Sequence, residues 1–174
     1  MPAERFVRRL NEQVGYELAA HNQYLACAVH YDSLTMPQMA AFFYAQALEE
    51  RSHGLMMVQY LLDTDEEVAL PGIEAPVSAF ADVVAPVELA LEQERRVTRQ
   101  INDLVMIARE EADFASEQFM QWFVKEQVEE VATMSDLLAV VRRNAGSLES
   151  IEEYVAREGR DAGDSIGAPR AACG

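Results

Sequence analysis

The segment that decides the fold is TDEEVALPGIEAPVSAFADVVA, residues 64–85, because it is the longest stretch of the chain without a helical repeat. It contains Pro71-Gly72 and Pro76, and Pro86 follows it directly. Fully extended, the segment can reach roughly 70 Å, whereas the helical stretches beside it would be roughly 40 Å long. Because such a connection can cross the whole length of a bundle, we expect the helices before and after it to run parallel.

Apolar residues recur at three- and four-residue steps through most of the remaining sequence, and this periodicity predicts five helices. Pro37 suits the first turn of the second helix, and Gly146-Ser147 ends the fourth. Length alone requires a break between the third and fourth helices, which we place near Asp113. The predicted helices span residues 2–34, 37–63, 87–112, 114–145 and 148–158.

The expected fold class is therefore all-α: a four-helix bundle with one long crossover connection and a short fifth C-terminal helix. We expect a single domain over residues 1–158. Residues 159–174 are rich in Gly and Ala and are expected to form a flexible tail.

The chain is strongly acidic, with a formal net charge of −16 at pH 7. This charge disfavours nucleic acid and anionic membranes as partners and suits cations. No apolar stretch has the length of a signal peptide core or a membrane span. The two cysteines, Cys27 and Cys173, form neither a disulfide framework nor a metal knuckle. We expect a cytoplasmic protein.

Each of the four long helices carries one glutamate near mid-length on its apolar face: Glu17, Glu50, Glu94 and Glu130. His53 lies one turn after Glu50 on the same face. A single helical glutamate is usually solvated, but four buried carboxylates would repel one another and cost several kcal/mol each in desolvation. Two divalent cations would balance the four charges. Carboxylates with one imidazole and no thiolate favour iron or manganese.

Further polar residues lie at the same level of the bundle. Tyr24 lies seven residues after Glu17 on the same face. It either has a catalytic role, by hydrogen-bonding a metal ligand or by being oxidised transiently, or packs as an ordinary core tyrosine. Glu49, Glu126 and Glu129 form either a third, weaker cation site or a solvated acidic surface.

These residues stand in segments that resemble the bacterial ferritins, in particular those of the actinobacterial type, over nearly the full chain. The segments are NEQVGYE (11–17), HNQY (21–24), EERSH (49–53), ALEQE (90–94) and QWFVKEQVEE (121–130). The resemblance implies a ferritin-like homo-oligomeric shell of twenty-four subunits. It also implies ferroxidase activity on Fe(II) with O2 in each subunit, and a ferric mineral stored inside.

The resemblance also implies roles for individual residues. Glu17, Glu50 and His53 would hold the first iron, with Glu50 bridging to the second. The second iron would be served by Glu94, Glu130 and Gln127. A third iron site would comprise Glu49, Glu126, Glu129 and Glu130.

Two departures separate the chain from the haem-binding bacterioferritins. Gln127-x-x-Glu130 stands where those proteins carry a second Glu-x-x-His, and Arg51 stands where they place a haem-ligating methionine. We therefore expect no haem. The lack of a CxxC module excludes rubrerythrins, and the sequence around His21 and His30 does not match that of mini-ferritins.

Two other functions remain open on the residues alone: a non-catalytic buffer of divalent metal, and a di-iron oxidase of an organic substrate. For a ferritin, we expect iron to enter through acidic channels where subunits meet near the start of the fourth helix. Glu117 is the candidate channel residue, with Asp113 and Glu110 behind it. The alternative is an exposed glutamate that merely favours the helix macrodipole.

Overall fold

In the computed structural model, which describes residues 1–158 and 167–172, the chain forms five α-helices and no strand within those residues. The helices are α1 Glu4–Ser33, α2 Pro37–Asp63, α3 Ala85–Glu110, α4 Phe114–Arg143 and α5 Leu148–Glu158. α1 packs along α2, α3 packs along α4, and α5 contacts α2 and α4. None of the described helices is long and apolar enough to cross a membrane. The expected all-α class is confirmed.

α2 and α5 have the expected bounds, whereas α1, α3 and α4 differ from them by one or two residues, most clearly α3, which spans 85–110 where we expected 87–112. α3 begins early because the Asp82 carboxylate accepts hydrogen bonds from the backbone N–H groups of Val84 and Ala85. α3 ends early because Ala112, with φ 55°, adopts the left-handed conformation that usually takes glycine. Asp113 then caps α4 by accepting from the Ser116 N–H at 3.1 Å.

Side-chain amides of α1 hold the long connection between α2 and α3. Gln23 pairs with both backbone groups of Val77, since its Oε1 accepts from the N–H and its Nε2 donates to the carbonyl, each at 2.9 Å. Asn11 accepts from the Ala69 N–H at 2.7 Å and donates to the Glu67 carbonyl at 3.0 Å. A segment without secondary structure thus has some of its backbone groups paired, which explains how it stays ordered.

The core consists of two apolar clusters with a polar layer between them. The first cluster includes Tyr24, Tyr31, Phe43, Val87 and Val141. The second includes Phe6, Leu10, Met57, Leu104 and Met120. α2 and α3 run from the first cluster to the second, whereas α1 and α4 run the opposite way. The helices joined by the long connection are therefore parallel, as its length predicted.

Residues 167–172 lie against the C-terminal half of α2. The Ala172 N–H donates to the Leu55 carbonyl at 3.0 Å, and Arg170 pairs with Asp63 at 2.9 Å. This part of the expected flexible tail is therefore held on the bundle by specific bonds. The rest of that expectation, residues 159–166 and 173–174 with Cys173, lies outside the described residues.

Candidate metal centre

The polar layer contains one glutamate from each long helix, and each is at most 1% exposed: Glu17, Glu50, Glu94 and Glu130. His53 and Gln127 are 2% and 3% exposed in the same layer. Burial of the apolar residues on either side fixes the rotation of each helix, and this rotation turns the carboxylates inward. The two clusters therefore impose the buried position of these acids.

One half of the layer is closely assembled. Ligand atoms of Glu17, Glu50 and His53 all lie within 4.8 Å of one another, and His53 Nδ1 is 3.7 Å from Glu50 Oε2. Within the described part of the chain, no N–H or hydroxyl group donates to Glu17 Oε2 or to either oxygen of Glu50, and the Glu50 carboxyl lies within hydrogen-bond reach of the Glu17 carboxylate. Buried acceptors nearly always have a partner, so this donor set fits a divalent cation that would supply one.

The other half of the layer is organised around Glu94. The Tyr24 hydroxyl donates to Glu94 Oε1, and Gln127 Nε2 lies 3.4 Å from Glu94 Oε2. The Thr98 hydroxyl lies 3.0 Å from Gln127 Oε1. In this orientation Gln127 Nε2 is directed at Glu94 and its Oε1 at Thr98. Glu130 is buried in the layer and its charge acts on Glu50.

Two acids of the layer, Glu50 and Glu94, favour a proton or a cation. Burial, reinforced by the charges of Glu94 and Glu17, raises the pKa of Glu50 well above its usual range. Burial raises the pKa of Glu94 to about 7, although the hydrogen bond from Tyr24 opposes the shift. Burial and the charge of Glu94 also raise the pKa of Tyr24, so its hydroxyl remains a donor. Metal binding would replace the protons that these carboxyl groups otherwise retain.

The structure brings together two of the four acids that the resemblance implies for a third site. Glu49 and Glu126, each half-buried, have ligand atoms within 4.8 Å of one another and of His53. Gln46 donates to Glu49 Oε2 at 2.6 Å. Glu129 instead lies 3.7 Å from Lys125 and is 52% exposed. The cluster therefore shares His53 with the main layer, which the sequence did not indicate.

The acids expected near an iron channel are all engaged within this one subunit. Glu117, 21% exposed, accepts from Arg109 at 2.6 Å, and Glu110 pairs with Arg5 at 2.7 Å. The Asp113 carboxylate accepts backbone N–H groups from α4 and from the N-terminal segment. The field at this end of α4 is thus weaker than the carboxylates alone would produce.

Two polar residues of the layer were missed by the sequence analysis. Gln13 donates to Glu17 Oε1 at 2.9 Å, and the Thr98 hydroxyl, which has one proton to donate, lies 2.8 Å from the Glu94 carbonyl oxygen and 3.0 Å from Gln127 Oε1. Each lies four residues from a candidate ligand on the same helix. That spacing is the signal that could have identified them.

The chain that contains this layer is similar to known ferritins in sequence and in structure. The family model for the ferritin-like domain matches residues 7–144. Ferritin BfrB of Mycolicibacterium smegmatis is 50% identical over 170 residues, which are 98% of this chain and 94% of that protein. Ferritin BfrB of Mycobacterium tuberculosis is 46% identical over 173 residues, 99% and 96% of the two chains. The open pore ferritin of Archaeoglobus fulgidus superposes with a TM-score of 0.86 at 30% identity, covering 90% of this chain and 97% of that one.

Proposed function

The chain belongs to the ferritin family, and on that premise we propose that it is a subunit of an iron-storage ferritin with ferroxidase activity. Fe(II) is oxidised by dioxygen in the polar layer, and the Fe(III) is kept as a mineral inside a hollow shell. The observation that carries the proposal is the set of buried carboxylate oxygens without N–H or hydroxyl donors on Glu17 and Glu50, beside His53.

Two Fe(II) ions are the substrates in each subunit. Glu17, Glu50 and His53 hold the first, and Glu50 bridges to the second, since neither of its oxygens accepts from an N–H or hydroxyl group of the described residues. Glu94 and Glu130 hold the second ion. In its present orientation the Gln127 amide donates toward Glu94. Its Oε1 lies next to Thr98 and would bind the metal only after rotation of the amide group.

The chain's contribution to oxidation is electrostatic and positional. Each Fe(II) gives up one electron, and dioxygen accepts the electrons. Anionic oxygen ligands stabilise Fe(III) over Fe(II), so the four carboxylates favour the oxidised pair. The buried hydroxyl of Tyr24 donates to one oxygen of Glu94, and the amide of Gln127 lies next to the other. These two side chains together orient the Glu94 carboxylate.

The proposed assembly is a cytoplasmic shell of twenty-four copies without bound haem. Several large apolar side chains are exposed in the isolated subunit, which supports burial against neighbours: Val29, Leu48, Leu62, Phe114 and Val128. A shell of twenty-four chains of 19.5 kDa would have a mass of about 470 kDa. A third iron would bind between Glu49 and Glu126, with Glu129 nearby, and iron would arrive through junctions near Glu117.

Oxygen consumption with Fe(II) as the only reductant separates this function from the two alternatives. A ferritin consumes oxygen without an organic partner, and the iron stays with a particle of shell size. A metal buffer binds iron to saturation without consuming oxygen, and an oxidase of an organic substrate needs that substrate for turnover. Either of the latter results would contradict the proposal.

A further inference from the structure

Gln13 links the metal layer to the outer face of α1. Its side chain is fully buried, and its Nε2 donates to Glu17 Oε1 at 2.9 Å and lies 3.3 Å from Gln100 Oε1. On the other side, its Oε1 accepts from Arg9 Nη1 at 3.3 Å. Arg9, Gln13 and Glu17 follow one another at four-residue steps along one face of α1.

The neighbours of Gln13 fix the orientation of its amide. A guanidinium group only donates hydrogen bonds and a carboxylate only accepts them. Rotating the Gln13 amide by half a turn would place its NH2 group against the Arg9 donor and its oxygen against the Glu17 acceptor. Arg9 is itself held, since it lies 3.7 Å from Glu12 and 5.4 Å from the centre of the Tyr16 ring. The amide hydrogen is therefore directed at Glu17 before any metal binds.

This bond makes the two oxygens of Glu17 unequal. Oε1 accepts from Gln13, whereas no N–H or hydroxyl group of the described residues donates to Oε2. Glu50 differs, because neither of its oxygens accepts from an N–H or hydroxyl group in that part of the chain, and its carboxyl is hydrogen-bonded only to that of Glu17. A carboxylate with one oxygen held suits a single metal bond, and one with both oxygens available suits a bridge.

We propose that Gln13 is a positioning residue for the metal centre: it holds Glu17 Oε1 so that Glu17 binds metal through Oε2 alone. The inference rests on the proposed function and specifies how its first iron is held. Partners that orient metal ligands typically contribute about 10- to 100-fold to metal affinity. Gln13 should therefore matter for affinity although it does not touch the metal.

The test is anaerobic titration with Co(II), whose visible absorption reports the number and arrangement of its ligands. Gln13→Met keeps the approximate size of the side chain and removes its polar atoms. The matched control is Gln23→Met, which removes a second buried α1 amide that bonds the connection backbone and no candidate ligand.

For Gln13→Met we expect Co(II) affinity to fall about 10-fold or more and the absorption spectrum to change, because Glu17 can then turn or bind through both oxygens. Gln23→Met should be less stable but should keep the wild-type affinity and spectrum. Wild-type affinity and spectrum in an assembled Gln13→Met shell would overturn the inference.

A second variant keeps the inference testable if Gln13→Met does not assemble. Arg9→Met removes the donor that holds the far end of the amide, so it should weaken Co(II) binding in the same direction by a smaller factor. Unchanged binding in an Arg9→Met shell would then overturn the inference. A separate comparison tests the proposed function itself. If Glu50→Ala binds Co(II) as the wild-type protein does, or if the wild-type protein binds none, the proposed function is contradicted.

Discussion

The indole ring of Trp122 lies edge-to-face against the imidazole ring of His53, with 5.5 Å between the ring centres and 72° between their planes. Trp122 is the only tryptophan of the chain, so its fluorescence reports on one end of the metal layer. We expect anaerobic addition of Fe(II) or Co(II) to change the Trp122 emission until the site is saturated. His53→Ala should remove most of the response, whereas an unaltered emission with metal bound would show that the ions lie elsewhere.

The pKa of Glu94, raised by burial to about 7, predicts how the stability of the metal-free protein depends on pH. The native state holds this proton more tightly than the unfolded state. The contribution of Glu94 to the free energy of unfolding should therefore fall as pH rises from about 4.5 to about 7 and level off above that range.

The variant Glu94→Gln should be more stable than the wild-type protein without metal, and its advantage should grow across the same pH range to roughly 2–3 kcal/mol. Guanidinium unfolding of both metal-free proteins near pH 5 and near pH 8 measures the difference. An equal advantage at both pH values would contradict the account, since it would not arise from ionisation of Glu94.

Much of the fold was predictable because the patterns involved are local. The three- and four-residue steps of apolar residues marked the helices, and the length of the connection gave the parallel arrangement of α2 and α3. The break at Ala112 had no such signal, because an alanine occupies the left-handed position where glycine would have marked the helix end. Asp113, which caps α4, was the only usable sign.

The site was predictable to a similar degree. A glutamate on the apolar face of a helix is unusual, and it can be recognised from the sequence of that helix alone. The four glutamates could therefore be identified one helix at a time. Some of the bonds that orient them join different helices and cannot be read from spacing: Tyr24 to Glu94 spans 70 residues, and Gln127 to Glu94 spans 33. Likewise, the sequence grouped Glu129 with the third site, while the structure places His53 there and Glu129 beside Lys125.

The purified protein should contain no haem. Arg51 is exposed on α2 and offers no iron ligand, and the two methionines that follow it, Met56 and Met57, are buried in the second apolar cluster. We therefore expect no Soret band in the absorption spectrum of the shell. Stoichiometric b-type haem in the purified particle would show that a pair of subunits supplies a ligand in some other way.

Replacing Glu117 with alanine should slow iron uptake when Fe(II) is dilute. The reason is loss of negative charge at the proposed junction between subunits, although Arg109 already offsets part of that charge. The difference from wild type should shrink as salt is added, and oxidation of Fe(II) already bound should keep its rate. Equal uptake by both proteins at every ionic strength would place the route elsewhere.

The most direct test of the central claim is stopped-flow oxidation of a few Fe(II) per subunit by the wild-type protein and by the double variant Glu50→Ala/Glu94→Ala. We predict that the double variant assembles to the same particle mass and lacks the fast phase. A fast phase of wild-type rate and amplitude in the assembled double variant would contradict oxidation at the buried carboxylate layer.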